Sequence, residues 1–162
     1  MLFPHEYQKR RIDCGPASIM MIANYYGKYY SLQYLDELCD LTCEGASLLG
    51  LIYTCEKIGF KTLASEAGMV VLRDLITLPC IIHWNKSHFV VVYKVTKKQV
   101  FVSDPAKGLL KYDFENFQKG WCTRNDKKGV FLAIEPQEYS PKKIKLFINY
   151  EIIRRRNTYI NS

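Results

Sequence analysis

Cys80-Ile81-Ile82-His83-Trp84-Asn85-Lys86-Ser87-His88-Phe89-Val90-Val91-Val92-Tyr93-Lys94-Val95-Thr96-Lys97-Lys98-Gln99-Val100-Phe101-Val102-Ser103-Asp104 consists of three β-branched and aromatic runs parted by two short polar breaks. Such runs favour strands, and breaks this short join antiparallel neighbours. Upstream the texture is different. Ala17, Met20, Met21, Ala23 and Tyr25 fall near helical spacing and Gly27 is a suitable stop, so a helix is expected from about Cys14 to Tyr26. Ser31 reads as the N-cap of a second helix reaching about Asp40, and Gly45-Ala46-Ser47 introduces a third, Leu48 to Ile58, ended by Gly59. Phe60 to Ala64 is expected as a short strand and Met69 to Ile76 as a short helix. A further strand pair is expected at Gly108 to Tyr112 and Val130 to Ile134, with a helical turn at Asp113 to Lys119. Helices first and an antiparallel sheet afterwards make an α+β fold, with the N-terminal helices packed on the sheet.

The 162 residues, 48% of them hydrophobic, suffice for one domain with a continuous core. That domain is expected over residues 1–139. No stretch reaches the roughly eighteen apolar residues of a membrane span, and the start lacks a secretory signal, so a cytoplasmic setting is expected. The net charge is +7, but Lys142, Lys143, Lys145, Arg154, Arg155 and Arg156 against Glu151 put +5 of it beyond residue 139, leaving +2 on the body. A nucleic-acid binder would spread its charge over the fold, so no nucleic-acid partner is expected. Residues 140–162 instead read as a basic amphipathic tail or linker, with Ile144, Phe147, Ile148 and Ile152 at helical spacing; such a tail suits a membrane surface, docking on the body of the domain or a connection onward. The six cysteines are scattered in apolar contexts and read as free thiols. Cys39 and Cys43 are one helical turn apart, but nothing near them completes a metal site, so no metal or cofactor is expected.

A thiol attacks an acyl carbon as thiolate, which a helix N-terminus and a nearby histidine favour. Cys14 occupies the expected start of the first helix, followed by Gly15, which admits a substrate backbone, and Pro16, which a first helical turn tolerates. Of the three histidines, His5 lies in the N-terminal stretch and reads as a surface residue, while His83 and His88 flank the break between two strands. His88 is the preferred base because a carboxylate can reach it. With Thr96-Lys97-Lys98 as a three-residue loop, Val95 pairs with Gln99 and Asp104 falls opposite Val90, on the same sheet face as His88. A two-residue loop would turn Asp104 to the other face. Asp104 precedes Pro105 and reads equally as a turn former. Gln8 is one of several polar residues that could donate to an oxyanion. Asp13 is expected to point away from the thiol.

The run Gln8-Lys9-Arg10-Arg11-Ile12-Asp13-Cys14-Gly15-Pro16-Ala17, with Met20-Met21-Ile22 and Tyr25-Tyr26-Gly27, resembles the N-terminal peptidase domain of bacteriocin-processing ABC transporters. Glu44-Gly45-Ala46-Ser47, Gly59-Phe60, Pro79, His83-Trp84, His88-Phe89-Val90-Val91-Val92 and Asp104-Pro105-Ala106-Lys107-Gly108 follow the same pattern, so the resemblance runs from about Gln8 to Glu135. It implies a papain-like fold and a cysteine peptidase that removes the leader of a ribosomal precursor peptide after a double-glycine motif. The family's nucleophile falls on Cys14, its oxyanion glutamine on Gln8, its base on His88 and its orienting acid on Asp104. The implied partners are the leader-bearing precursor and the transmembrane and nucleotide-binding domains of an ABC transporter, at the cytosolic face of a bacterial inner membrane. Cys14 distinguishes the chain from related transporter domains that lack the cysteine and only bind cargo.

Glycines fit a narrow cleft beside a thiol, so selectivity is expected from apolar leader residues in a groove, with Met21, Tyr25 and Trp84 as candidate lining. Two other functions remain compatible with the sequence: a leader-binding module that does not cleave, and a papain-like amidase or acyltransferase with the same triad.

Overall fold

The computed structural model describes residues 2–137, so the expected boundary at residue 139 and the basic tail lie outside the described residues. A 3-10 turn, Arg11–Asp13, leads directly into α1 (Cys14–Tyr25), followed by α2 (Leu32–Cys39) and α3 (Leu48–Lys57). The caps are those the sequence marks. Ser31 Oγ accepts the Tyr34 N–H at 3.2 Å and Ser47 Oγ accepts the Gly50 N–H at 3.0 Å, satisfying donors that the first helical turn leaves free. Then come β1 (Phe60–Ala67), α4 (Met69–Asp74), β2 (Cys80–Trp84), β3 (His88–Val95), β4 (Gln99–Asp104), β5 (Gly108–Asp113), α5 (Phe114–Trp121) and β6 (Gly129–Pro136).

The strands form one antiparallel sheet in the order β1-β6-β2-β3-β4-β5. Strands β5 and β6 therefore do not pair with each other as expected. β5 extends the β2–β3–β4 meander at one edge, and β6 returns to the interior, where it pairs with β1 from Phe60↔Pro136 to Ala67↔Gly129 and with β2 at Ile81↔Leu132.

Both faces of the sheet are covered, which is why β2 and β3 read as nearly unbroken apolar runs. On one face Ile81, Phe89, Val91, Leu132 and Ile134 meet Ile19, Met21 and Ile22 of α1, Leu35 of α2 and Leu51 of α3. On the other, Ile82, Trp84, Val90, Val92, Val102 and Phe131 meet Leu72 of α4 and Phe117 and Trp121 of α5. Each large side chain so buried contributes about 1.5–3 kcal/mol, and the first face fastens α1, which opens at Cys14, to the sheet.

The β3–β4 connection departs from the expected hairpin. Thr96 N–H donates to Gln99 O at 2.9 Å, closing a two-residue Lys97-Lys98 loop, and Val95 pairs with Val100. Left uncorrected, this register would send Asp104 to the wrong face. A bulge between Val92 and Lys94 absorbs one residue, so that beyond it Val92 pairs with Val102 and Val91 with Ser103. Continued by one step, that register sets Asp104 opposite Val90, the relation expected from the sequence but reached by another route.

Candidate active site

Cys14 opens α1 and is only 6% exposed. Its turn is fixed from three sides. The Ser18 hydroxyl donates to Cys14 O at 2.7 Å and lies 3.4 Å from Phe89 O, seating the first turn of the helix on β3 next to His88. A Cβ on Gly15 would come within 2.7 Å of Leu51 Cδ2 on α3 and 3.0 Å of Ala46 Cβ, so glycine lets α1 approach this wall without displacing the Leu51 side chain. Asp13 is turned to Arg10, accepting its backbone N–H at 2.8 Å and its guanidinium at 2.7 Å, while the same guanidinium reaches Asp36 of α2 at 2.8 Å.

His88 stands at the first position of β3 and Asp104 at the last of β4. His88 Nε2 donates to Asp104 Oδ1 across 2.7 Å, which leaves Nδ1 for the cysteine. Burial lowers the pKa of His88, but hydrogen bonds to Asp104 and Cys14 and the charges of both outweigh it and raise the value to about 9. The ring therefore carries a proton at neutral pH. Burial raises the Asp104 pKa, while the bonds from His88 and the Ala106 N–H and the charges of His88 and Lys107 bring it below the ordinary carboxylate value. The two readings of Asp104 coexist on one atom, since Oδ1 also accepts the Ala106 N–H at 2.8 Å in a turn.

Gln8 lies in the segment that leads to α1. Its backbone N–H donates to Pro105 O at 2.9 Å, immediately after Asp104, and its side-chain Nε2 approaches Arg10 O at 3.1 Å and Arg11 O at 3.4 Å, in the turn before Cys14. One amide hydrogen is engaged by Arg10, and the longer approach to Arg11 leaves the second weakly held. Gln8 Oε1 is buried without a hydrogen-bond partner among the described residues.

The three candidate groove residues are not brought together. Met21 has no exposed surface, because it faces the sheet from within the first core, and its sulfur receives the Ser103 hydroxyl at 3.1 Å. Trp84 is 8% exposed and belongs to the opposite core, against Tyr112 and Phe117. Tyr25, at the far end of α1 from Cys14, is 49% exposed and packs on Phe3 and Tyr26. Met21 is therefore a core residue of the first face and not a wall of a groove.

An open cleft does border the site. It runs between the Thr42–Leu48 loop and the β2–β3 connection and is lined by Arg11, Ala46, Ser47, His83, Ser87 and Phe89 among others. The Glu44-Gly45-Ala46-Ser47 block was the signal for this wall. His83 stacks on Phe89 at 4.9 Å, and its pKa is lowered by burial and by the charge of His88. His5 is not the surface residue expected: its Nδ1 lies 2.7 Å from Ser103 Oγ. Cys39 is buried and accepts from Thr54 Oγ1, whereas Cys43 is exposed, and all six thiols are unpaired.

Three N-terminal helices on an antiparallel sheet, with a thiol at the start of the first and a His–Asp pair on neighbouring strands, define a papain-like cysteine peptidase domain. The chain belongs to the peptidase C39 family, whose model matches residues 3–137. It is 38% identical over 141 residues to the lactococcin-G-processing and transport ATP-binding protein LagD of Lactococcus lactis subsp. lactis, covering 83% of this chain and 19% of that protein. It is likewise 38% identical over 145 residues to the transport/processing ATP-binding protein ComA of Streptococcus pneumoniae, covering 84% and 19%. The chain thus spans about a fifth of the length of the curated relatives it matches. Among solved structures, a double glycine motif protease from an AMS/PCAT transporter in complex with its leader peptide superposes with a TM-score of 0.76 at 30% identity, covering 82% of this chain and 91% of that one. The peptidase domain of Streptococcus ComA gives 0.75 at 30% identity, covering 84% and 100%.

Proposed function

We propose that the chain removes the leader from a bacteriocin-like precursor peptide by cleaving after a Gly-Gly motif, as the peptidase part of an ABC transporter at the cytosolic face of the membrane. The observation that carries this reading is the 2.7 Å His88–Asp104 pair on strands against which the Cys14 turn is seated. Cys14 Sγ attacks the carbonyl carbon of the second glycine as thiolate. The developing oxyanion is held by the Cys14 backbone N–H and a Gln8 amide N–H, and the His88 imidazolium gives its proton to the departing amine. Water then adds to the thioester, losing a proton to His88, and the leader leaves with a new carboxylate. Asp104 holds the ring in place and stabilises its charge throughout.

The cleft between the Thr42–Leu48 loop and the β2–β3 connection takes the leader, with Phe89 and Ala46 as apolar contacts; it replaces Met21 and Trp84 in that role. The basic segment 140–162 connects the domain, residues 1–139, towards the membrane-embedded part. No helix among the described residues is long and apolar enough to cross a membrane. Mass spectrometry of a precursor with a Gly-Gly leader, incubated under reducing conditions, tests the reading. One cut after the second glycine is expected. An intact peptide that nonetheless binds would identify a leader-binding module, and turnover of other amides in its place an amidase.

A further inference from the structure

The N-terminal segment Phe3–Gln8 grips Asp104 on both flanks. His5 Nδ1 meets Ser103 Oγ at 2.7 Å on one side, and the Gln8 N–H meets Pro105 O at 2.9 Å on the other. Phe3 anchors the start of the segment by stacking on Tyr93 at 4.7 Å, beside the β3 bulge. Ser103 in turn points its hydroxyl at Met21 Sδ, 3.1 Å away on α1. Ser103 has a single hydrogen, so the arrangement that satisfies these contacts runs one way: His5 Nδ1–H donates to Ser103 Oγ, and Ser103 O–H donates to Met21 Sδ. The ring is then neutral with an unprotonated Nε2. That atom is buried without a partner among the described residues, and a bare lone pair there costs less than an orphaned N–H. Burial lowers the His5 pKa, outweighing the opposite pull of Glu6 and Asp104, in keeping with a neutral ring.

This three-member relay joins the segment bearing Gln8, the strand bearing Asp104 and the helix bearing Cys14. Hydrophobic packing alone leaves such elements free to slide by fractions of an ångström, whereas a directed chain of hydrogen bonds fixes their register. We propose that His5 is a positioning residue for peptide cleavage: through Ser103 it aligns Gln8, Asp104 and Cys14 with one another. The proposal rests on the catalytic roles assigned above to those three residues. His5 does not touch the substrate, so its loss acts on kcat rather than on leader binding.

The test uses the full chain and a Gly-Gly precursor. His5→Ala should lower kcat by about 10- to 100-fold, the scale of a sub-ångström to one-ångström misalignment, with KM within about twofold of wild type. His5→Asn places an amide N–H where Nδ1–H stands and should recover most of the loss. Ser103→Ala should match His5→Ala, and the double variant should be no worse than either, because the relay is cut once. Thermal melts give the folded fraction for every variant, and Ser103→Ala and His5→Asn keep the test open should His5→Ala fold poorly. Wild-type kcat per folded molecule in His5→Ala would overturn the proposal, as would equal losses in His5→Asn and His5→Ala. Should the wild type fail to cut the precursor, the assigned function falls separately. His5 is then tested without substrate by the rate of Cys14 alkylation with iodoacetamide, which should fall in His5→Ala and recover in His5→Asn. An unchanged alkylation rate would overturn the positioning role.

Discussion

On one face of the sheet, α1, α2 and α3 pack with fully buried Ser18, Thr54 and Ser103 among their aliphatic neighbours; on the other, the rings of Trp84 and Trp121 close over glycines. These three hydroxyls are all hydrogen-bonded, that of Ser18 to the backbone of Cys14, that of Thr54 to the backbone of Gly50 and that of Ser103 to Met21 Sδ. The second face is held by shape. A Cβ on Gly120 would come within 2.2 Å of the Trp84 ring, and one on Gly129 within 2.5 Å of Trp121. Directional bonds set the position of reactive atoms, and close packing sets the stiffness of the sheet that carries them. Disrupting the first face should therefore cost activity, and disrupting the second should cost stability.

The strongest break is at the thiol. Cys14→Ala should reduce precursor cleavage by at least about 10⁴-fold, as loss of a nucleophile does, while the melting temperature stays near that of wild type. Gly120→Ala should do the converse. Overpacking against a buried indole costs about 3 kcal/mol or more, read as a lower urea midpoint with unchanged slope, and kcat per folded molecule is retained. Asp104→Asn should lower kcat about 10²- to 10⁴-fold, no more than the loss of Cys14, if, as proposed, the group orients the proton carrier and does not itself transfer the proton.

The same pair sharpens the contrast through pH. His88 is raised to about 9 in the folded protein, so it binds its proton more tightly there than when unfolded. Its contribution to stability is complete below about pH 6.5 and is lost as pH rises through about 9, a change of at most about 3 kcal/mol. Urea unfolding at pH 6 and at pH 9.5 should show this decline in wild type and a smaller one in Asp104→Asn. The smallest effect belongs to Ser18→Ala, which removes one buried hydrogen bond worth about 1 kcal/mol and loosens the Cys14 turn on β3, visible as a modest fall in both melting temperature and kcat.

The helices were legible because Ser31, Ser47 and Gly27 mark their ends, and Cys14 was legible because it sits at such an end. Asp104 was placed on the correct side of β4 for a reason that does not hold. The loop is Lys97-Lys98, and the bulge near Tyr93 compensates for it. Both faces of β3 are apolar, so alternation carries no register signal, and nothing in Val92-Tyr93-Lys94 announces a bulge. β6 was read as a strand, but its place beside β1 depends on pairing across some seventy residues, from Phe60 to Pro136, which local pattern does not encode. Met21 and Trp84 were misplaced because a side chain's face is decided by tertiary packing. His5 was passed over because its partner, Ser103, is almost a hundred residues away.

The central claim is that Cys14, served by His88, forms the bond to the leader. Acid quenching of wild-type protein at early times with a Gly-Gly precursor, followed by peptide mapping, tests it most directly. The leader's mass should appear as a thioester on the fragment containing Cys14 and on no other cysteine fragment. Cleavage that proceeds with no such adduct, or with the adduct on Cys43 or Cys122, would contradict it.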